Sequence, residues 1–432
     1  MAAVGGRRIV DFCRYLPKFG WEPVVLTVKG GHNSAWDEAP LQKAPDTIIY
    51  RSPIYLPLLQ KNTGKPRPKA KYAGVTVETQ SEARPEPSSP LRKLRRFAAS
   101  MVRIPDEINC WIPLGLATGL RAVRREKVSA IVSSSPPASA HILASLMSRI
   151  SGCPHVVDFR DLWTLNHTYV YRGHPPSVKK LDAALERWVL NRAEGIITAS
   201  PGFETQMRSH LGGSLADRLV TITNGFDYAE IDRDREIVTS DRTRLRILYT
   251  GSLYSDFNPV FFFECLAEWL KDSRIDPATI QVDFYGNSEY DYSDFLGKLG
   301  LGQVVVFHGF VPHADLLPIV EQADYLLLLL SFKRQHAPVI PAKLFEYLAA
   351  PARILALTPE GTTADLIAKY KAGEVLCEPD RPKMISILDR IYRQWCDTKA
   401  ASRKYRYIRE IDREYLAERL ARELNRITES RL

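Results

Sequence analysis

The sequence LRILYTGS, residues 245–252, decides the fold, because it ends a β-rich run on a glycine and restarts a pattern already present upstream. In both halves of the chain, short apolar runs alternate with helix-length amphipathic stretches. This alternation predicts an α/β protein with parallel sheets. The predicted strands are 130–134, 155–159, 195–199 and 219–223, and then 245–250, 280–285, 304–308, 325–330, 354–357 and 374–377.

The restart at residue 245 predicts two domains, 1–240 and 241–405. A length of 432 residues fits this division, since single cores stop growing beyond roughly 250–300 residues. Residues 406–432 form a third part, because their apolar residues repeat at a 3.6-residue period. We expect a final helix that needs a packing partner. Its stripe contains Ile408, Ile411, Tyr415, Leu416, Leu420, Leu424 and Ile427.

The N-terminus departs from a complete doubly wound domain. The glycine pair Gly5 and Gly6 is followed by a helical pattern over 8–19 and by the β-rich run EPVVLT at 22–27. In doubly wound folds a strand comes before such a glycine turn, whereas only residues 1–4 precede it here. We therefore expect that the first strand is missing.

The net charge of +9 is concentrated in one basic insertion, residues 58–100. Within it, residues 61–100 hold ten Lys and Arg against three Glu, and Leu91, Leu94, Phe97 and Met101 follow one apolar face. Two interpretations stay open: contact with an anionic membrane or an acidic lipid-linked acceptor, or a soluble disordered loop. Aromatic residues are sparse in the basic run, with Tyr72 and Phe97 alone in 61–100, and no recognition-helix motif is present, so nucleic-acid binding is not expected.

Cysteine use and hydropathy favour a cytoplasmic protein. The six cysteines are scattered, without CxxC or a histidine at metal-ligand spacing, so neither disulfides nor a zinc site are predicted. No apolar run approaches the roughly 18 residues of a membrane span, and the N-terminus lacks the apolar core of a signal peptide. If the basic insertion binds lipid, we expect a peripheral position at the inner face of the plasma membrane.

Several motifs in fixed order carry a resemblance to a known family. The second half contains YTGSL (249–253), FHGFVP (307–312), ADYLLLLL (323–330) and IPAKLFEYLAA (340–350). The first half contains PDEINCWIP (105–113), SSSPPASAH (133–141), VVDFRDLW (156–163) and ITNGFD (222–227). Together they resemble family 4 glycosyltransferases of the GT-B fold, over nearly the whole chain outside the basic insertion.

The resemblance implies two Rossmann-like, doubly wound domains that face a central cleft, with the C-terminal helix crossing back to the first domain. It implies a nucleotide-diphosphate sugar as co-substrate in the C-terminal domain and a glycan or lipid-linked acceptor at the N-terminal domain. It further implies transfer with retention, by front-face attack, with no cofactor and no metal. Surface polysaccharide biosynthesis is the pathway that such a relative suggests.

On the donor side, the resemblance assigns the ribose hydroxyls to Glu346, the second glutamate of an E-x7-E pattern. The first glutamate falls at Pro338, so the usual contact to the sugar ring is absent. The basic residues expected after the first strand of this domain are replaced by Gly251 and Ser252, so Lys343 is expected to neutralise the diphosphate. The alternative is that Glu346 and Lys343 are merely solvent-exposed on their helix.

Backbone groups extend the predicted donor site. Gly361, Thr362 and Thr363 precede a predicted helix, so their N–H groups either bind an anion or cap that helix. Gly251 and Ser252 end a strand and are expected to approach the phosphates. Gly5 and Gly6 are expected in a loop that faces the diphosphate, where glycine permits close approach.

On the acceptor side, DFRDLW (158–163) follows a strand that is predicted to end in the cleft. Relatives carry a His-Asp pair here, and the matching residues are Arg160 and Asp161. Asp161 is therefore expected to orient the acceptor or act in catalysis, with Asp158 as the second candidate. The alternative is a buried Asp-Arg pair that only holds the loop. His167 is a weak candidate for a general base.

Two other functions remain open on these residues. One is a catalytically impaired GT-B protein that binds nucleotide sugars, because Pro338 and Ser252 depart from the family pattern. The other is a nucleotide-sugar epimerase, which would need ionisable groups in both domains. The sequence identifies neither the sugar, the nucleotide nor the acceptor, and it leaves the oligomeric state open.

Overall fold

The chain folds into two compact units in a computed structural model, which describes residues 4–29, 43–54, 70–71, 103–166, 174–237, 243–254, 257–273, 275–397 and 402–430. Unit 1 comprises Met1–Gly64, Ala83–Gly225 and Arg409–Leu432. Unit 2 comprises Lys65–Glu82 and Phe226–Ile408. The sequence placed the divisions at 240 and 405. Most of the basic insertion and His167 lie outside the described residues.

Strands and helices alternate along most of the described chain. The strands are β1 Val24–Val28, β2 Ile48–Ser52, β3 Ala70–Lys71, β4 Ile131–Ser135, β5 His155–Phe159, β6 Gly195–Thr198, β7 Leu219–Thr221, β8 Leu245–Thr250, β9 Ile280–Tyr285, β10 Tyr290–Asp291, β11 Val305–Gly309, β12 Tyr325–Leu329, β13 Arg353–Leu357 and β14 Gly373–Leu376. The helices are α1 Val4–Tyr15, α2 Ile112–Arg125, α3 Ser139–Ser151, α4 Pro176–Arg192, α5 Pro201–Leu211, α6 Gly213–Ala216, α7 Val260–Asp272, α8 Ser293–Lys298, α9 His313–Glu321, α10 Lys343–Ala349, α11 Thr362–Lys369, α12 Arg381–Asp397 and α13 Arg413–Glu429.

Unit 1 contains two parallel sheets. β1 pairs with β2, and β4, β5, β6 and β7 form a four-stranded sheet in that order. All five residues of β5 are buried, as expected for a parallel strand that is covered on both faces. β2 was not predicted from the sequence, because its short run lies beside a long stretch without periodicity.

The last helix, α13, packs within unit 1. Its buried face, which includes Leu416, Leu420 and Leu424, forms one cluster with Phe12 and Tyr15 of α1. The Asp412 side chain caps the helix by accepting a hydrogen bond from the Glu414 N–H, which satisfies one of the unpaired donors of the first turn. The 3.6-residue stripe thus has its partner in the N-terminal helix.

Unit 2 is built on a six-stranded parallel sheet with the order β11-β9-β8-β12-β13-β14. The chain order reverses between β8 and β12, and ligands of doubly wound sheets bind at the carboxyl ends of the strands at such a point. β12 is buried throughout. A short parallel pair, β3 with β10, also belongs to this unit.

The α/β class and the parallel sheets predicted from the sequence are confirmed. One local prediction is wrong: α1 begins at Val4, so Gly5 and Gly6 lie in its first turn and form no loop. α10, which carries Lys343 and Glu346, begins at Lys343. None of the described helices combines the length and apolarity that crossing a lipid bilayer requires.

Candidate functional site

The carboxyl end of β8 brings two of the predicted residues together in unit 2. Tyr347 on α10 accepts a hydrogen bond from the Thr250 N–H at 2.9 Å, and its hydroxyl lies 3.0 Å from the Thr250 hydroxyl. These contacts fix α10 against the end of the central strand. Lys343 and Glu346, three residues apart on α10, therefore lie one above the other beside that strand end.

Glu346 is partly exposed and lines an open cavity of about 320 Å³. The cavity wall is otherwise mostly apolar, and its remaining residues are Phe226, Thr250, Leu316, Leu317, Val320, Ala350 and Tyr405. Among the lining residues Glu346 alone carries a charge, so it is the group able to orient a polar ligand there.

Lys343 lies over the aromatic ring of Tyr249. Its Nζ is 3.7 Å from the Tyr249 ring centroid and 5.9 Å from that of Phe257. Lys343 as a whole residue is half-buried, but protein atoms surround its ammonium densely. Burial therefore lowers the pKa of Lys343 to about 7, although the negative charge of Glu346 acts in the opposite direction. Sequence reasoning missed the role of Tyr249, although this tyrosine is the first residue of the YTG turn.

Gly251 lies next to this lysine. Its φ is +116°, and a Cβ added there would lie 2.9 Å from the Lys343 Nζ. A side chain at residue 251 would thus displace the ammonium as well as strain the backbone. Ser252, which follows, is half-buried, and its carbonyl accepts a hydrogen bond from the Tyr249 hydroxyl at 3.0 Å.

Three glycines form a row at the ends of adjacent strands. Gly251 and Gly286 directly follow β8 and β9, Gly309 is the last residue of β11, and all three have positive φ. The Gly251 N–H donates to the Tyr285 carbonyl, and the Gly286 N–H donates to the Gly309 carbonyl at 2.6 Å. The row leaves one edge of the sheet lined by backbone atoms. The sequence signal was present in the repeated pattern aromatic–x–Gly: YTG, FYG and FHG.

The segment 361–363 is partly engaged by the segment that precedes α10. The Thr362 N–H donates to the Ala337 carbonyl at 2.9 Å, and the Thr363 hydroxyl donates to the Val339 carbonyl at 2.7 Å. Thr362 and Thr363 are both buried, and a Cβ at Gly361 would lie 2.3 Å from the Ala337 carbonyl oxygen. The Thr362 N–H and the Thr363 hydroxyl thus anchor α11 to the segment before α10, while anion binding by the Gly361 and Thr363 N–H groups stays a prediction.

In unit 1, Asp158 lies near the end of β5 and is held by Arg8 of α1. The guanidinium contacts both carboxylate oxygens, at 2.8 and 3.1 Å, and Ser134 donates to the same carboxylate at 2.7 Å. Arg8 also donates to the carbonyls of Ile222 and Thr223. Arg8 and Asp158 are both buried, so this pair ties three segments of unit 1 together. Sequence reasoning missed Arg8.

Arg160 and Asp161 follow β5 directly. Arg160 donates from Nε to the Ser135 carbonyl at 3.0 Å and from a terminal nitrogen to the Pro136 carbonyl at 2.5 Å. Burial lowers the pKa of Arg160 below its usual value. Asp161 is exposed, and its carbonyl lies 3.5 Å from the Ser135 hydroxyl. The structure thus groups Asp158, Arg160 and Asp161 at one strand end. Gly6, in the first turn of α1, is exposed.

Comparison with known proteins adds one family and one solved fold. The family model described as "Glycosyl transferase 4-like domain" matches residues 5–225, just over half of the chain. HepE of Anabaena in complex with UDP-glucose is similar in structure, with 13% identity, 100% of this chain and 95% of HepE covered, and a TM-score of 0.56. HepE with UDP is similar too, again at 13% identity, with 100% and 96% covered and a TM-score of 0.55. By sequence, no curated protein matches the chain.

Proposed function

This chain belongs to the glycosyl transferase 4-like family and is a glycosyltransferase of the GT-B type, and we propose that it transfers a sugar, with retention, from a nucleotide-diphosphate sugar to a glycan or lipid-linked acceptor. Surface polysaccharide biosynthesis is the pathway we propose. No cofactor or metal is required in this proposal. Among the described residues, no three Asp, Glu, His or Cys side chains converge as metal ligands would.

One observation carries the donor part of the proposal. A carboxylate, Glu346, and a cation, Lys343, lie on one face of α10, next to the end of the central strand and the bare backbone of Gly251. A ribose offers adjacent hydroxyl donors to a carboxylate, and a diphosphate needs a nearby cation. The HepE structures contain UDP and UDP-glucose, which supports a nucleotide sugar as the ligand here.

The chemistry follows from where charge develops during transfer. As the bond between the anomeric carbon and the diphosphate breaks, negative charge grows on the leaving oxygen. Lys343 would stabilise that charge, which lowers the barrier because the ammonium is already in place. Transfer with retention by front-face attack needs no nucleophile from the protein. The leaving phosphate then accepts the acceptor's proton.

On the acceptor side we propose that Asp161 orients the acceptor hydroxyl. Asp161 is exposed at the end of β5, whereas the Asp158 carboxylate is already engaged by Arg8 and Ser134. We therefore propose that Asp158 positions the segment and that Arg160 holds the turn through the Ser135 and Pro136 carbonyls.

Ligand binding and turnover test the donor proposal. Melting temperatures measured with UDP, GDP, ADP and CDP, and with their sugars, are expected to rise for one nucleotide, since a ligand of the folded form stabilises it. Glu346→Gln is expected to weaken that ligand roughly 10- to 100-fold, because hydrogen bonds to charged groups contribute about 1.5–3 kcal/mol. Glu378→Gln, an exposed glutamate of the same unit, is the matched control.

The outcomes separate the three functions. Binding with transfer or slow hydrolysis of the donor supports the glycosyltransferase. Binding without turnover of any donor would leave a nucleotide-sugar-binding protein, and conversion of the free nucleotide sugar to its epimer would identify an epimerase. Equal affinity of wild type and Glu346→Gln would refute the role of Glu346.

We also propose a peripheral, cytoplasmic location in which residues 61–100 contact anionic lipid. The basic residues there would add charge attraction to shallow burial of Leu91, Leu94, Phe97 and Met101. Sedimentation with phosphatidylserine vesicles should drop when residues 61–100 are deleted. Unchanged sedimentation of the deletion variant would rule the proposal out.

A further inference from the structure

The ammonium of Lys343 lies in mostly apolar surroundings, which is unusual for a cation. It lies 3.7 Å above the Tyr249 ring and 5.9 Å from the Phe257 ring, with Gly251 beside it. Among the described residues, no oxygen atom accepts a hydrogen bond from this ammonium. A charged amine there loses water and gains chiefly the attraction of aromatic faces.

Within the part of the chain that the structure describes, few charged groups act on this lysine. From its own helix, Glu346 favours the charged form of Lys343. Tyr249, from β8, stays neutral, because burial raises its pKa well above the usual value. Tyr347 is neutral for the same reason, and its hydroxyl is engaged by Thr250. Glu346 is thus the one ionised group of the described residues whose field reaches Lys343.

Desolvation outweighs the attractive contacts at this position. Loss of water disfavours the ammonium, while Glu346 and the aromatic face favour it, the latter by about 0.5–2 kcal/mol. The pKa of Lys343 falls to about 7 as a result. At pH 8 such an amine is about 90% neutral, so a modest additional charge suffices to shift its protonation.

A nucleoside diphosphate supplies that charge. Its phosphates carry two to three negative charges at pH 8, since the last ionisation of a phosphate monoester has a pKa of about 6. An anion within a few Å of the amine raises its pKa by one to several units. The binding of the anion and the binding of a proton therefore assist each other.

We propose that Lys343 is largely uncharged in the empty site at pH 8 and takes up one proton from solvent when a nucleoside diphosphate binds beside it. This inference rests on the proposed donor site. It adds a coupling between nucleotide binding and proton binding, which donor binding alone does not require. Through this coupling, Lys343 gains the positive charge that stabilises the leaving diphosphate only when the ligand binds. Release of the nucleotide product returns the proton.

Calorimetry in paired buffers measures the coupling. The probe is whichever of UDP, GDP, ADP and CDP gives the largest thermal shift. It is titrated into the full chain at pH 8 in Tris and in HEPES, whose enthalpies of ionisation differ. The difference in apparent enthalpy should correspond to uptake of about 0.9 proton per nucleotide, falling to about half a proton at pH 7, where the terminal phosphate is still mostly ionised. Above pH 7 the Kd should rise about tenfold for each pH unit.

Two variants test whether Lys343 is the group that takes up the proton. Lys343→Arg keeps a permanent charge, so it should bind at pH 8 with uptake near zero. Lys369→Arg is the matched control, since Lys369 also lies over a tyrosine ring, 4.8 Å from that of Tyr370, but is exposed. It should retain the wild-type uptake.

The results distinguish the inference from the function it rests on. Nucleotide binding with uptake below about 0.2 proton at pH 8 overturns the inference and leaves the donor site standing, as does unchanged uptake in Lys343→Arg. Absence of binding by all four nucleotides overturns both. If Lys343→Arg does not fold, the wild-type Kd decides, because a Kd that stays constant between pH 7 and pH 9 overturns the inference.

Discussion

Removing the Asp158 carboxylate should destabilise unit 1 by about 3–5 kcal/mol, because breaking one partner of a buried ion pair leaves an uncompensated charge. In Asp158→Ala, Arg8 loses two contacts of 2.8 and 3.1 Å in a site where its own side chain is 4% exposed. It keeps the Ile222 and Thr223 carbonyls, so the lower half of the range is expected. At about 2–4 °C for each kcal/mol in a unit of this size, the melting temperature should fall by roughly 6–15 °C.

Thermal unfolding followed by circular dichroism measures the loss. Asp161→Ala, at the exposed neighbouring aspartate, should change stability by less than about 0.5 kcal/mol. The double variant Arg8→Met with Asp158→Leu should recover most of the loss, since apolar replacement of a whole buried pair is often neutral or stabilising. A loss below about 1 kcal/mol in Asp158→Ala would refute the structural role, and so would a double variant that is less stable than the single one.

Three further predictions concern acid, packing and α10. Burial lowers the pKa of His155 to about 3, and it lowers the pKa of His141 well below its usual value. Unfolded histidine binds protons below pH 6.5, so the free energy of unfolding falls as the pH drops from 6.5, by about 2 kcal/mol from His155 alone at pH 5. Chemical denaturation at pH 7 and at pH 5 measures this loss. The free energy of unfolding should depend less on pH in His155→Gln than in the wild type. An equal pH dependence in His155→Gln and in the exposed control His210→Gln would contradict the prediction. Gly373→Ala should lower the melting temperature, because its Cβ would lie 1.9 Å from the Ile354 carbonyl oxygen, whereas Gly297→Ala has open space and should not. Tyr347→Phe leaves the buried Thr250 N–H without its acceptor and should cost about 1–3 kcal/mol, measured by denaturation; an unchanged midpoint would mean that another group accepts this hydrogen bond.

The GT-B fold could be predicted because its decisive signals are local. Runs such as 325–330 are apolar throughout, and a strand buried on both faces requires that pattern. The sharp turns after the strands are marked by glycine. The sheet of unit 2 was thus predicted strand by strand, and the observed β12, Tyr325–Leu329, lies within the predicted run.

The contacts that the sequence did not reveal involve groups whose partners lie far along the chain. The Thr362 N–H faces the Ala337 carbonyl, so one donor of a helix start that resembles an anion site in sequence is engaged by a neighbouring segment. Arg8 meets Asp158 across 150 positions. Gly5 and Gly6 resembled a turn because glycine favours turns, yet a first helical turn tolerates glycine when the rest of the helix packs well.

The three glycines at the strand ends, Gly251, Gly286 and Gly309, are required for different physical reasons. At Gly286 the fold alone explains the residue, because a Cβ would lie 2.2 Å from the Gly251 carbonyl oxygen. At Gly309 nothing lies within 4 Å of a Cβ, so only its φ of +76° favours glycine. At Gly251 two constraints act together, because its φ is +116° and a Cβ would lie 2.9 Å from the Lys343 Nζ. The requirement for glycine at 251 therefore comes both from the backbone and from the position of the lysine, and this residue marks where the sheet meets the candidate site.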